Sequence, residues 1–320
     1  MAGWLLGCSL GVAASPAPLN VVTTIGMLGD VTENIGGRCV DVVSLMGPGI
    51  DPHTYQARAS DVPTLNNADL ILYSGYSLEG KLASVLERFK QRRPTLAVSE
   101  RAIAPDRLIR VNDAYGTDPH LWMDVELWGA LVPTIAEAIK AQRPECADTI
   151  AANAETYRMR LSALDDWITR SIKTIPEQQR ILVTAHDAFN YYGRAYGIDV
   201  EGIQGISTET ETGIADIRAM ANVVAERQVP AMFVESTISP RTIRSVIEAA
   251  RQKGQTIEVG GELYSDAMGE TGRFEGTYIG MLYANTQRIV TALGGRPAPL
   301  PNELADLMPQ DTAMGAHDVN

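Results

Sequence analysis

Histidine is scarce in this chain, four among 320 residues, and cysteine is scarcer, with three. Neither the Cys-x-x-Cys of thiolate zinc sites and thioredoxin-like redox centres nor the His-Glu-x-x-His of zinc peptidases occurs. The Gly-x-x-x-x-Gly-Lys-Ser/Thr phosphate loop is missing too, which excludes an ATPase of that class. No run approaches the roughly 20 apolar residues needed to span a bilayer. Positive charge is in deficit: 27 Lys and Arg against 39 Asp and Glu leave a net charge of −12, the wrong sign for a nucleic-acid partner. An acidic surface instead suits the attraction of cations. With 45% apolar and 21% charged residues the chain can bury sizeable cores, and 320 residues allow two lobes or one large α/β unit.

The beginning of the chain carries a short apolar run ending in Trp4-Leu5-Leu6-Gly7-Cys8, followed by the extended linker Ser15-Pro16-Ala17-Pro18. Leu-Leu-Gly-Cys is similar to a bacterial lipobox, whose cysteine carries the lipid. The run is short for a signal segment, and no Lys or Arg precedes it. The expectation is an exported protein, periplasmic or otherwise extracytoplasmic, lipid-anchored through Cys8. A plain tail with an incidental cysteine is the alternative. Cys39 and Cys146 could pair in an oxidising compartment, but spacing alone does not decide it.

Short runs rich in Val, Ile and Leu alternate with helical patterns in two series. Residues 20–25, 40–45, 70–73 and 96–98 read as buried strands, with helices at 28–35, 59–67, 80–90 and 125–141. A second series places strands at 180–184, 200–203, 231–235 and 256–259, and helices at 188–196, 213–227, 240–253 and 277–293. Such alternation predicts parallel sheets covered by helices. Between the series, Ile150, Ala154, Tyr157, Leu161, Leu164, Ile168 and Ile172 recur at helical spacing within 147–175. That helix would run roughly 40 Å, either as a spine between two halves or as a long helix within one. The implied division is a leader and linker at 1–18, a lobe at 19–143, the long helix within 144–176, a lobe at 177–295 and a tail at 296–320. Tyr191, Tyr192 and Tyr196 are spaced for a packing face, and His317 reads as a solvated tail residue.

The other three histidines each follow a strand-like run: His53 in Gly49-Ile50-Asp51-Pro52-His53, His120 in Asp118-Pro119-His120-Leu121-Trp122, and His186 in Thr184-Ala185-His186-Asp187. Ligands of open parallel sheets bind beyond the carboxyl ends of strands, and imidazole is the commonest metal ligand. Asp266 follows the last strand and precedes the small-residue turn Ala267-Met268-Gly269. Three neutral imidazoles and one carboxylate would leave a bound dication with net charge about +1, cheaper to bury than a bare ion. Asp51, Asp118, Asp187 and Glu235 are candidates to support them, or are loop caps and surface charges.

Those segments, with Leu263-Tyr264-Ser265-Asp266, Gly205-Ile206-Ser207-Thr208 and Phe233-Val234-Glu235-Ser236-Thr237, resemble in collinear order the cluster A-I solute-binding proteins. These are the extracytoplasmic receptors of zinc, manganese and iron ABC importers, and the likeness spans residues 19 to about 295. The resemblance implies two parallel-sheet α/β lobes joined by one long spine helix, with the metal site in the interlobe cleft. It implies His53, His120, His186 and Asp266 as metal ligands, a membrane permease and an ATPase subunit as partners, and a monomer that is not an enzyme.

The resemblance implies zinc or manganese as the transported ion. His186 departs from the carboxylate that accompanies manganese and iron in that family. The His-rich acidic loop frequent in zinc relatives is absent, and Asp266 could chelate through both oxygens, which suits manganese. A metal-dependent hydrolase with Glu235 as general base is a competing reading, although four protein ligands leave no position for water. A metal-binding adhesin-like lipoprotein is another.

Overall fold

The computed structural model describes residues 17–112 and 115–309; Cys8 and His317 lie outside them. The first half runs β1 (Leu19–Ile25), α1 (Gly26–Gly36), β2 (Val40–Met46), α2 (Asp61–Asn67), β3 (Leu70–Tyr73), α3 (Ala83–Lys90), β4 (Thr95–Ala97) and α4 (Val98–Ala102), then α5 (Val125–Gly129) and α6 (Leu131–Gln142). α7 (Ala147–Ile172) separates it from β5 (Ile181–His186), α8 (Asn190–Tyr196), β6 (Asp199–Gln204), α9 (Ile214–Glu226), β7 (Ala231–Glu235), α10 (Arg241–Arg251), β8 (Glu258–Leu263) and α11 (Tyr278–Ala292).

β1 to β4 form one parallel sheet in the order β2-β1-β3-β4. β1 is buried at every position except Asn20, as a central strand covered on both faces must be. β2 is an edge strand and leaves Val43 exposed. The second half also pairs in parallel, β5 with β6 and β7 with β8. β5 and β7 lie side by side, but no strand ladder joins them. The Glu235 carboxylate bridges that seam, its Oε1 accepting the N–H groups of Ala185 and His186 at 2.7 and 2.9 Å.

α7 is about 39 Å long at 1.5 Å per residue. It packs on α1, α5 and α6 of the first half and on α8 and α11 of the second, so it is a spine shared by both lobes. Every residue of its expected stripe is buried, and Trp167 and Ser171 widen the face because two lobes cover it. Its start is tied to the first lobe by a Cys39–Cys146 disulfide, which settles their pairing. Near its end Trp167 Nε1 donates to Ala298 O at 2.8 Å, while Ser171 Oγ accepts from Ala298 N at 3.0 Å. The segment after α11 is therefore a strap over the spine, and a 3-10 turn at Asn302–Leu307 follows it with Leu304 buried.

Several boundaries differ from expectation. The helix expected over 125–141 is two helices meeting at Ala130. Pro133 has no N–H for the Gly129 carbonyl, and its ring clashes with a continuous turn there. The strand expected at 256–259 is instead Glu258–Leu263. Gly260-Gly261 reads as a break, yet it carries a bulge against β7: Gly261 has φ +126°, and a Cβ on Gly260 would stand 2.6 Å from the Phe233 ring. The strand expected to end at Thr184 continues to His186. Residues 98–102, expected to begin as strand, form α4.

Two predictions follow from packing. The disulfide closes a span of 107 residues, for which the chain-entropy account gives about 4 to 5 kcal/mol. Replacing both cysteines by alanine should lower the unfolding free energy by about 2 to 5 kcal/mol in urea titrations, and a loss below about 1 would discount the bridge. The second concerns Asp30 on α1, whose Oδ2 accepts from Tyr157 Oη on α7 at 3.0 Å. Burial pushes this carboxyl up from 3.8 to about 6, against the Tyr157 donor. Its contribution is complete below the unfolded pKa near 3.8 and is lost as pH rises through about 6, a change of order 3 kcal/mol. Asp30→Asn should therefore gain stability relative to the parent between pH 4 and 7; parallel pH profiles would sink this account.

Candidate metal centre

The connection after β2 carries His53, the segment leading into α5 carries His120, β5 ends on His186, and the loop after β8 carries Asp266. All four side chains are buried, and one ligand atom from each lies within 4.8 Å of the others. His53 Nε2 stands 3.2 Å from His120 Nε2 and 3.8 Å from Asp266 Oδ2. His120 Nε2 is 3.4 Å from Asp266 Oδ1, and His186 Nε2 is 3.2 Å from Asp266 Oδ2. Four donors held about 2.1 Å from one centre stand about 3.4 Å apart along tetrahedral edges, so the cluster has the dimensions of a metal site. Both Asp266 oxygens face the imidazoles, which leaves one or two available for coordination.

The opposite ring nitrogens are fixed from behind. His120 Nδ1 lies 2.7 Å from Asp118 Oδ1, which also accepts the His120 backbone N–H at 3.0 Å. Asn190 Nδ2 donates to the other Asp118 oxygen at 3.1 Å, and Tyr191 Oη donates to the Asp118 carbonyl at 2.9 Å. His186 Nδ1 is 2.6 Å from Glu235 Oε2, close enough for an ion pair but without hydrogen-bond geometry. His53 Nδ1 lies 3.1 Å from Tyr115 Oη, and its backbone N–H is accepted by Asp51 Oδ1 at 2.8 Å. Each ring is thereby turned with Nε2 toward the common centre, the orientation metal-ligating histidines take when a partner holds the other nitrogen.

Of the four supporting carboxylates considered, Asp118 and Glu235 face ring nitrogens, and Asp51 reaches the His53 backbone. Asp187 turns instead to the β5–β6 end, where its Oδ1 accepts the Gly202 N–H at 3.0 Å. Tyr115, Trp122, Asn190 and Asn285 escaped the sequence reading. Trp122 and Asn190 lie within two to four residues of ligating positions, but nothing in the pattern assigns them a task. Asn285 clamps Tyr264, donating to its carbonyl at 2.7 Å and accepting its N–H at 2.9 Å, so the Asp266 loop leaves β8 in one direction.

The electrostatics are those of a site built around charge. Burial would raise the Asp266 carboxyl, but His186, His120 and His53 hold it well below the ordinary carboxylate range. Burial lowers His120, yet Asp118 and Asp266 outweigh it and push the ring up to about 9. His186 also goes well above its ordinary value, burial being overcome by Glu235 and Asp266. His53 lacks a carboxylate at its back and is pulled down to about 4 by burial, despite Asp266. Neither Asp266 oxygen makes an aligned hydrogen bond among the described residues; what the two oxygens face is the imidazole nitrogens at 3.2 to 3.8 Å. Three imidazole nitrogens and one carboxylate gathered out of water at these distances are a donor set that fits a divalent ion.

A family profile described as "Zinc-uptake complex component A periplasmic" matches residues 21–292. The manganese-binding lipoprotein MntA of Bacillus subtilis (strain 168) is 44% identical over 291 residues, 90% of this chain and 95% of that one. The zinc-binding protein TroA of Treponema pallidum (strain Nichols) is 42% identical over 285 residues, 89% and 92% of the two chains. The solved structure of the periplasmic zinc binding protein TroA from Treponema pallidum superposes with a TM-score of 0.84 at 42% identity, covering 86% of this chain and 99% of that one. A solved Fe(III)-bound YtgA from Chlamydia trachomatis, at 26% identity, gives 0.80 over 88% and 100%. The parallel two-lobed architecture, the spine helix and the profile match together place the chain in the periplasmic zinc-uptake component A family of metal-binding solute-binding proteins.

Proposed function

We propose that the protein captures a divalent transition metal, zinc or manganese, outside the cytoplasm and delivers it to the permease of an ABC importer. The ATPase subunit is a separate chain. His53, His120, His186 and Asp266 hold the ion in the cleft between a lobe at 19–143 and a lobe at 177–295, with 144–176 connecting them. Cys8 is the lipid anchor, and the receptor works as a monomer. The observation that carries this reading is Asp266: a fully buried carboxylate with both oxygens lacking an aligned hydrogen bond and three imidazole Nε2 atoms turned toward it.

The relatives' names divide between manganese and zinc. The donors support both ions, since zinc accepts a closed tetrahedron and manganese gains from a second Asp266 oxygen. Hydrolysis is poorly served here. Four protein ligands fill a tetrahedral ion, and the carboxylate considered as base, Glu235, already meets the Ala185 and His186 N–H groups and His186 Nδ1. No catalytic role is proposed.

Titrating zinc and manganese into metal-stripped protein at pH 7 by calorimetry should give tight 1:1 binding that His120→Ala abolishes. Several weak sites insensitive to that substitution would overturn the assignment. Asp118→Asn keeps a group behind the His120 ring but removes its charge. It is expected to weaken both metals about 10- to 100-fold, the usual effect of losing the partner behind a ligating histidine. Unchanged affinity would leave Asp118 as a loop cap.

A further inference from the structure

Trp122 lies in the 3-10 turn Leu121–Met123 immediately after His120, and it is completely buried. It is bound twice to the other half of the molecule. Its Nε1 donates to the Ser265 carbonyl at 2.8 Å, one residue before Asp266. Its own carbonyl accepts from Tyr278 Oη of α11 at 2.8 Å. The indole edge meets the His120 ring at 5.2 Å between centroids, and the Tyr278 ring stacks on Trp128 at 5.7 Å. On its own side, the Asp266 loop is clamped at Tyr264 by Asn285, and Ser265 Oγ lies 3.3 Å from Thr237 Oγ1. Among the described residues, the Trp122 indole is the group from the His120 side hydrogen-bonded to the backbone of this loop beside Asp266.

From this we infer that Trp122 is a positioning residue for Asp266 and thereby sets metal preference. It fixes the angle at which the carboxylate faces His120, and so whether one oxygen or both reach an ion. The inference rests on Asp266 being a ligand. Zinc is satisfied by four donors with one carboxylate oxygen, whereas manganese favours more oxygen ligands. Loosening Asp266 therefore penalises manganese more than zinc. A role in packing alone would weaken both ions equally, through the fraction of folded protein.

Trp122→Phe keeps an aromatic ring beside His120 and deletes the N–H; Tyr278→Phe keeps the stack on Trp128 and deletes the second link. Zinc and manganese affinities are measured by calorimetry for each variant, alone and combined with Asp266→Ala, with melting temperatures of the metal-free proteins. We expect each to lower manganese affinity about 10-fold and zinc affinity no more than about 3-fold, with Trp122→Phe causing no further change once Asp266 is alanine. Equal factors for both metals, or an undiminished effect in the Asp266→Ala background, would overturn the inference. If Asp266→Ala itself leaves both affinities unchanged, it is the ligand assignment that fails. Should Trp122→Phe fold poorly, Tyr278→Phe decides by the same ratio.

Discussion

A carboxylate taken out of water must be met by donors or by positive charge. The loop that presents Asp266 supplies no donor to it. Three imidazoles approach it instead, two from the first half of the chain and one from the second, so the partners of this one side chain come from both sides of the spine. The contacts behind the rings serve the same end. Asp118 and Glu235 back His120 and His186 at Nδ1, so that both rings present Nε2 to the other members of the cluster. The cluster is held by ion-pair contacts between imidazoles and carboxylate, and a divalent ion bound there would replace the protons those contacts require.

The sheets are arranged around that demand. Strand pairing in the second half is interrupted where β5 meets β7, and Glu235 enters the seam. One carboxylate thus performs two jobs: Oε1 completes the backbone hydrogen bonding of Ala185 and His186, and Oε2 faces the His186 ring. The irregularity in β8 has a comparable logic, because the Gly260-Gly261 bulge gives room to the Phe233 ring of β7.

What was legible in the residues is what depends on local pattern. β1, β3 and β7 are short apolar runs, and the Ala147–Ile172 helix shows its stripe. The histidines stood out because they are few and follow strand-like runs, and Asp266 because it follows the last strand and precedes the small-residue turn Ala267-Met268-Gly269, a reading the family-like segments reinforced. Illegible were facts about which strand lies beside which. Asp118 and Asp187 both neighbour a histidine of the cluster, yet one backs the His120 ring and the other caps Gly202. Only the approach of separate segments tells them apart. The disulfide partners lie 107 residues apart and meet because α1 and α7 pack together. The Pro133 break, by contrast, was readable and was overlooked in favour of an apolar period.

The edge-to-face contact between Trp122 and His120 has an optical consequence. An ion held by that imidazole, as proposed, would sit beside an indole shielded from solvent, so occupancy of the cleft would alter the field around a native fluorophore. Zinc, with a closed d shell, acts on the indole chiefly through its charge, while manganese adds unpaired electrons that open a quenching route. On the proposed ligand set, the receptor would carry beside its cargo an indole whose emission responds to the ion.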